Sequence, residues 1–112
     1  MPSAWSKEFP AAITVCNKNG IITELNDKAA STFANDGGYD LLGKNLFDCH
    51  SEDSTNMIKK LMNENKINVY TIEKNGVKKL IYQAPFVENG EVKGLVELAI
   101  EIPFEMPHFV RQ

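Results

Sequence analysis

The sequence predicts an α+β fold in which a five-stranded antiparallel sheet carries helices on one of its faces. Residues 11–25 and 67–102 are rich in β-branched and aromatic side chains, which favour strands. The pair Asn-Gly, which favours tight hairpin turns, occurs at 19–20, 75–76 and 89–90. Residues 26–65 instead carry helix caps and apolar side chains at helical spacing. Because 112 residues suit one domain, these elements are assigned to a single core.

A lead segment, residues 1–10, precedes the predicted sheet. Trp5 and Phe9 lie four residues apart, so they would share one side of a short helix that Pro10 ends. The runs AAITVC and IITEL then have the composition of strands, and the residues between them suit a turn. Residues 11–25 are therefore predicted to form the first hairpin.

Two helices and several short helical turns are predicted next. Asn26 or Asp27 can cap the first helix, DKAASTFA, because either side chain can accept a hydrogen bond from a free backbone N–H. Residues 39–49 suit short helical turns. Ser51 or Asp53 can cap the longer helix, which should end near position 65. Its predicted core-facing side chains are Met57, Ile58, Leu61 and Met62.

Three strands joined by Asn-Gly turns are predicted to follow, over 67–76, 77–90 and 91–102. Along the last strand the residues at even positions, from 92 to 102, form one side. Leu95 and Ala99 lie on the opposite side, which we expect to be the outer face of the sheet. Residues 103–112 contain two prolines and are predicted to form an irregular tail, so the domain proper is residues 11–102.

Composition and charge argue against several classes of protein. The net charge is −3 and Arg111 is the single arginine, so the clustered cations that bind nucleic acid are missing. No apolar run approaches the ~20 residues of a membrane span, and the N-terminus does not resemble a secretory signal. The expected location is therefore cytoplasmic, without membrane contact. Two cysteines and two histidines, without a CxxC-like pair, predict no metal site.

The densest group of reactive side chains is FDCHSED, at positions 47–53. Cys49 and His50 are adjacent, so their side chains diverge on a strand or a helix, which is poor geometry for a nucleophile and its base. The carboxylates of this group lie near the start of the longer helix, whose positive dipole end they stabilise. Without a nucleophile–base pair or a phosphate-binding glycine loop, an enzyme is not expected. His50 is the member that could point into a pocket and titrate.

Four stretches, in their order and spacing, resemble the PAS domain family: CNKNGIITELNDKAA, LLGKNLFDC, EKNG and APFVENGEVKGLVELAIEI. The resemblance spans nearly all of residues 8–102. It implies a sensory module that binds a small molecule or cofactor between the helices and the sheet, or that pairs with another domain through the outer face of the sheet. PAS domains are usually modules of signalling proteins and not catalysts.

Two cofactor classes of the PAS family can be tested by residue. Flavin-binding LOV members use a reactive cysteine where this chain has Leu46, and Cys49 comes three residues later, so no flavin adduct is expected. Haem-binding members usually use a histidine on the longer helix, near the position of Met57, whereas His50 precedes that helix. Haem is therefore not expected either, and the cofactor is left unknown.

The residues predicted to contact a ligand are those that would wall the space between helices and sheet. Gln83 is the polar member among apolar neighbours. It could face inward and bind a ligand, or face solvent or a sheet neighbour, and the sequence leaves both open. The apolar members are also core candidates. The predicted set is Phe33, Leu46, His50, Met57, Leu61, Tyr70, Tyr82 and Gln83.

The function predicted from the sequence is a sensory module that binds a small molecule and signals through dimerisation or through a partner. The alternative is a protein–protein interaction module with a filled core and no ligand. A homodimer contact is predicted at Trp5, Phe9, Leu95 and Ala99. No output domain is visible, and EIPFEMP replaces the exit motif of the family. The chain is therefore either part of a longer protein or acts on a signalling partner in trans.

Overall fold

The computed structural model describes residues 4–48 and 50–112, so Cys49 and the first three residues lie outside the described part. The helices are α1 (Ala4–Lys7), α2 (Asp27–Thr32) and α3 (Glu52–Glu64). The strands are β1 (Ala12–Asn17), β2 (Ile22–Leu25), β3 (Asn68–Lys74), β4 (Val77–Glu88) and β5 (Glu91–Ile102). Three 3-10 turns cover Ala34–Asp36, Gly38–Leu41 and Leu46–Asp48.

The five strands form one antiparallel sheet in the order β2-β1-β5-β4-β3. Helix α2 contacts β1, and α3 contacts β4 and β5. We call the side of the sheet that meets these helices the inner face, and the opposite side the outer face. The predicted fold class, a five-stranded antiparallel sheet with helices on one face, is confirmed. None of the described helices is long and apolar enough to cross a membrane.

Asn26 ties the lead segment to the sheet and to α2. Its Oδ1 accepts hydrogen bonds from the backbone N–H of Ala29, at 3.0 Å, and of Ile13, at 2.9 Å. Its Nδ2 donates to the carbonyl oxygens of Ser6, at 3.0 Å, and of Ala11, at 2.7 Å. Of the two predicted caps, Asn26 is therefore the N-cap of α2. The side chain is buried, so these backbone groups depend on it for their partners.

A β-bulge decides which side chains of β5 face the helices. Val87 pairs with Val92 next to the turn, but the register shifts by one residue between Phe86 and Val87. Val92 and Leu95 are three residues apart, yet both contact the core. The prediction that Leu95 and Ala99 lie on the outer face is therefore wrong. Leu95 is 4% exposed, and Ala99 packs against the core on the inner face.

The outer face is apolar instead. Ile13, Leu98, Tyr82 and Val69 are consecutive cross-strand neighbours on β1, β5, β4 and β3. All four are at least partly exposed. Alternation along the strands adds further apolar side chains to this face, namely Leu80, Ala84, Val96 and Ile100. The outer face thus presents a continuous, partly exposed apolar surface.

The residues after β5 form no helix or strand. Their large apolar side chains are exposed, namely Phe104, Met106, Phe109 and Val110. The last strand, β5, ends at Ile102.

Candidate functional site

A cavity of about 710 Å³ lies between the inner face and the helices. Residues of all five strands line it on the side of the sheet, and α3 and the preceding turns form its roof. Its walls are mainly apolar, and they include Ile22, Leu41, Leu46, Ile58, Ile81 and Leu95. A space of this size and character is within the range of ligand sites in proteins, roughly 300–1,000 Å³.

A row of four polar residues crosses the floor of this cavity. Asn68, Gln83, Glu97 and Thr14 are direct cross-strand neighbours on β3, β4, β5 and β1. All four line the cavity. Asn68 Nδ2 donates to Gln83 Oε1 at 3.0 Å, and Gln83 Nε2 donates to Glu97 Oε2 at 2.8 Å. We call these four residues the polar row.

Gln83 combines the two orientations that the sequence left open. Its side chain faces the cavity, but its hydrogen-bond partners are sheet neighbours. It is 7% exposed, so both ends of its amide need those partners. The carboxylate of Glu97 can only accept, which obliges Gln83 to present its NH₂ to β5 and its oxygen to Asn68. The polar row is therefore oriented, with Glu97 as its final acceptor.

Glu97 contributes to a raised pKa at two further side chains of the cavity, Cys16 and Tyr70. Burial is the main cause that raises the pKa of Cys16, against the opposing effect of a hydrogen bond with the backbone of Leu95, and Glu97 raises it further. Burial also raises the pKa of Tyr70, again with a contribution from Glu97. Both groups therefore stay protonated at neutral pH. The Cys16 thiol is free and buried, and is a poor nucleophile in this state.

The cavity opens to solvent between β3 and α3. Tyr70 and Met57 line it, yet each is 44% exposed. His50 also lines it and is exposed, with its Nδ1 at 2.8 Å from the carbonyl oxygen of Leu46. Because a carbonyl can only accept, Nδ1 carries the proton and Nε2 is left for other partners. These three side chains lie at the entrance, where Tyr70 and Met57 expose apolar surface to solvent.

Six of the eight predicted ligand residues line the cavity. They are Phe33, Leu46, His50, Met57, Tyr70 and Gln83. Leu61 packs into the hydrophobic core and does not reach the space. Tyr82 lies on the outer face, because it alternates with Ile81 and Gln83 along β4. The expectation that Leu61 and Tyr82 wall the cavity is corrected accordingly.

Sequence reasoning missed the other three members of the polar row, Thr14, Asn68 and Glu97. One signal was present for Glu97, since a carboxylate within the apolar run LVELAI requires either solvent or a buried partner. Its pairing with Gln83 was hidden by the bulge. A regular two-residue turn at 89–90 would have placed Gln83 opposite Val96.

The described residues contain no group of three or more His, Cys, Asp or Glu that could hold a metal ion. At the cavity, His50 and Met57 have side chains that can coordinate haem iron. Leu46 is a buried wall residue, and its hydrocarbon side chain cannot form a thiol adduct. Cys49 lies outside the described residues. The expectations against a flavin adduct and against haem stay predictions.

The cavity between a five-stranded antiparallel sheet and helices on one face is the arrangement of a PAS fold, and this chain has that fold. The PAS domain of histidine kinase ThkA superposes with a TM-score of 0.66 at 23% identity, over 80% of this chain and 97% of that one. The Vibrio cholerae Aer2 receptor, described as a dual PAS-heme oxygen sensor, gives 0.63 at 16% identity, over 83% of this chain and 95% of that one.

A third similar structure is the Vibrio cholerae VqmA dimer, with a TM-score of 0.70 at 11% identity over 97% of this chain. This chain spans about half of that protein, 55% of its length. VqmA bound to DPO superposes comparably, at 0.69 and 10% identity, over 88% of this chain and 56% of that one. No protein-family model matches the sequence, and no curated protein matches it. At these identities, the similar structures establish the fold.

Proposed function

We propose that this chain is a sensory module that binds a small molecule in the cavity. The observation that carries the proposal is the oriented polar row on the floor of a mainly apolar space. Ligand sites commonly combine apolar walls with a few placed polar groups that set orientation. The oxygen sensor Aer2 and DPO-bound VqmA support this reading, since each has a similar fold and a sensory or ligand-bound description.

The cavity floor is poorly suited to serve as packing alone. Because the cavity opens to solvent, its apolar lining atoms face water instead of protein, and covering such surface is favourable. Leu95 and Ile81 line the cavity from the floor and Ile58 from the roof. A bound molecule with an apolar body would restore contacts to both layers. Its polar groups would meet Glu97 and the amides of the polar row.

A cavity-filling substitution tests this proposal. Ala99 lies on the cavity floor, so Ala99→Phe should occupy part of the space and exclude the ligand. We expect any metabolite that raises the melting temperature of the wild type in a thermal-shift screen to lose that effect in Ala99→Phe. Native mass spectrometry should likewise show a co-purified ligand on the wild type and not on the variant.

The matched control is Ala84→Phe, which adds the same ring on the outer face. It should keep the response to ligand, and circular dichroism should show that both variants are folded. No bound species together with no stabilising metabolite for the wild type would count against the proposal. Equal ligand responses in the wild type and Ala99→Phe would place the ligand elsewhere.

The second candidate function is homodimerisation through the outer face, by which a ligand signal could be passed on. It is favoured by the continuous, partly exposed apolar surface of the outer face. Trp5 and Phe9 add exposed aromatic surface, with their rings edge to face at 5.5 Å. The dimer contact proposed here keeps Trp5 and Phe9 and replaces Leu95 and Ala99 with outer-face residues such as Leu98. A signalling partner in trans could use the same surface.

Light scattering tests the homodimer. Leu98→Glu places a charge at the centre of the outer face, so it should convert a dimer into a monomer, and Trp5→Ala should weaken the dimer. Asn63→Glu, on the exposed side of α3, makes the same change in charge and should leave the dimer intact. A wild type that stays monomeric at high concentration would rule out this candidate, whereas the cavity proposal would stand.

A further inference from the structure

We propose that the ligand of the cavity carries a positively charged hydrogen-bond donor, such as a protonated amine or an amidinium, that pairs with Glu97. The remainder of the ligand would be an apolar, preferably aromatic body held by the cavity walls. This inference rests on the proposed function of the cavity and specifies the chemical class of its ligand.

The position of Glu97 is the first step of the argument. It lies on β5, the central strand of the sheet, and lines the cavity. Its Oε2 accepts from Gln83, whereas its Oε1 has no hydrogen-bond partner among the described residues. Its carboxylate also forms no ion pair within the described part of the chain. A cationic ligand could pair with this carboxylate, and the attraction would be stronger than in bulk water because the apolar walls lower the local dielectric.

The orientation of the polar row is the second step. Because Gln83 must direct its NH₂ to Glu97, it cannot turn this group towards an anionic ligand without losing the bond at 2.8 Å. Asn68 is held in turn by Gln83 Oε1. The acceptor end of the row therefore meets the ligand at Glu97. An anion placed there would face the like charge of Glu97.

The other charges around the cavity do not reverse this preference. Asp36 and Asp53 also line it, and both are exposed, so solvent screens them. Lys79 is the lysine of the lining, and it lies four residues along β4 from Gln83, opposite Glu101 of β5, at the end of the cavity away from the polar row. His50 is exposed at the entrance. The lining thus has more carboxylates than lysines, and the charge at the polar row is negative.

Three indoles that share one apolar body and differ in charge provide the test. The probes are tryptamine, a cation; tryptophol, neutral; and indole-3-acetate, an anion. Binding is measured by NMR titration of the backbone amides around the cavity, such as Leu95 and Ile81. A hydrogen bond between charged groups is stronger than one between neutral groups, and an anion would face the like charge of Glu97. We therefore expect tryptamine to bind at least about tenfold more tightly than indole-3-acetate, with tryptophol between them.

Glu97→Gln removes the charge but keeps an oxygen that can accept from Gln83, so the sheet should persist. In this variant the three dissociation constants should converge to within about twofold. Glu91→Gln is the matched control, because it makes the same change in net charge at the exposed start of β5. It should preserve the preference for tryptamine.

The outcomes separate this inference from the function on which it rests. Binding of all three probes at the cavity with equal affinity, or tighter binding of the anion, would overturn the cationic class and leave the cavity as a ligand site. A preference for tryptamine that persists in Glu97→Gln would show that another group selects the charge. Failure of all three probes to shift any cavity amide at millimolar concentration would count against the ligand site itself.

Discussion

Replacing Gly94 with alanine is expected to lower the free energy of unfolding by at least about 3 kcal/mol. Gly94 lies in β5 opposite Asn17 of β1 and Phe86 of β4. A Cβ added there would be closer to the carbonyl oxygen of Cys16 than van der Waals contact allows, and 2.7 Å from Cε1 of Phe86. The phenyl ring could rotate away, but the Cys16 oxygen belongs to the backbone of the neighbouring strand. Relief would therefore require β1 and β5 to separate.

Urea denaturation of the wild type and Gly94→Ala measures this effect. Gly90→Ala is the control, because Gly90 has φ of 80° and no heavy atom lies within 4 Å of its added Cβ. Gly90→Ala introduces backbone strain without a steric clash, so it should lower the free energy of unfolding by only about 1–2 kcal/mol. If Gly94→Ala proved no more destabilising than Gly90→Ala, the close approach of β1 and β5 would be wrong.

Replacing Asn26 with alanine is expected to cost about 3 kcal/mol, the second large effect. The loss of the N-cap hydrogen bond to Ala29 accounts for about 1 kcal/mol of this. The remainder comes from the N–H of Ile13 and the carbonyl oxygens of Ser6 and Ala11. These groups would lose their Asn26 partner in or near the interior, which costs more than an exposed hydrogen bond.

Asn26→Ser distinguishes the two contributions. A serine hydroxyl can still cap α2, but it is too short to donate to Ser6 and Ala11 together. Its unfolding free energy, measured by urea denaturation, should therefore lie between those of the wild type and Asn26→Ala. Equal stability of Asn26→Ser and the wild type would show that the bonds to the lead segment contribute nothing. A cost below about 1 kcal/mol for Asn26→Ala would limit its role to capping.

The turns explain why the topology could be predicted from sequence. At the two C-terminal Asn-Gly pairs, both residues adopt positive φ: 54° and 78° at Asn75 and Gly76, and 52° and 80° at Asn89 and Gly90. Few other residue pairs tolerate this conformation, so they fix the hairpins locally. Helix α3 could also be predicted from sequence, because Ser51 caps it and Ile58, Leu61 and Met62 are buried at helical spacing.

The faces of β5 could not be predicted in the same way. Strict alternation from Val92 groups Val92 with Val96 and Leu98, as in an apolar core face. The bulge breaks that alternation, so Val92 shares its side with Leu95 instead. Gly94, beside the bulge, is a possible signal for it, since a glycine inside a strand often marks a bulge or a close approach of another backbone. The same error placed Leu95 and Ala99 outside and concealed the inward position of Glu97, which follows from three-dimensional pairing and not from local pattern.

Gly94 also has a consequence for strand alignment. Sliding β5 by one residue along β1 and β4 would exchange its sides, turning Val96 and Leu98 towards the helices and Glu97 towards solvent. Such a slip would bring Lys93 or Leu95 to the point beside the Cys16 oxygen where no Cβ fits. Gly94 thus fixes the register of β5 relative to β1. Because Gly94 lacks a Cβ, the observed alignment of β5, with Glu97 facing the cavity, is favoured over one in which Val96 and Leu98 face the helices.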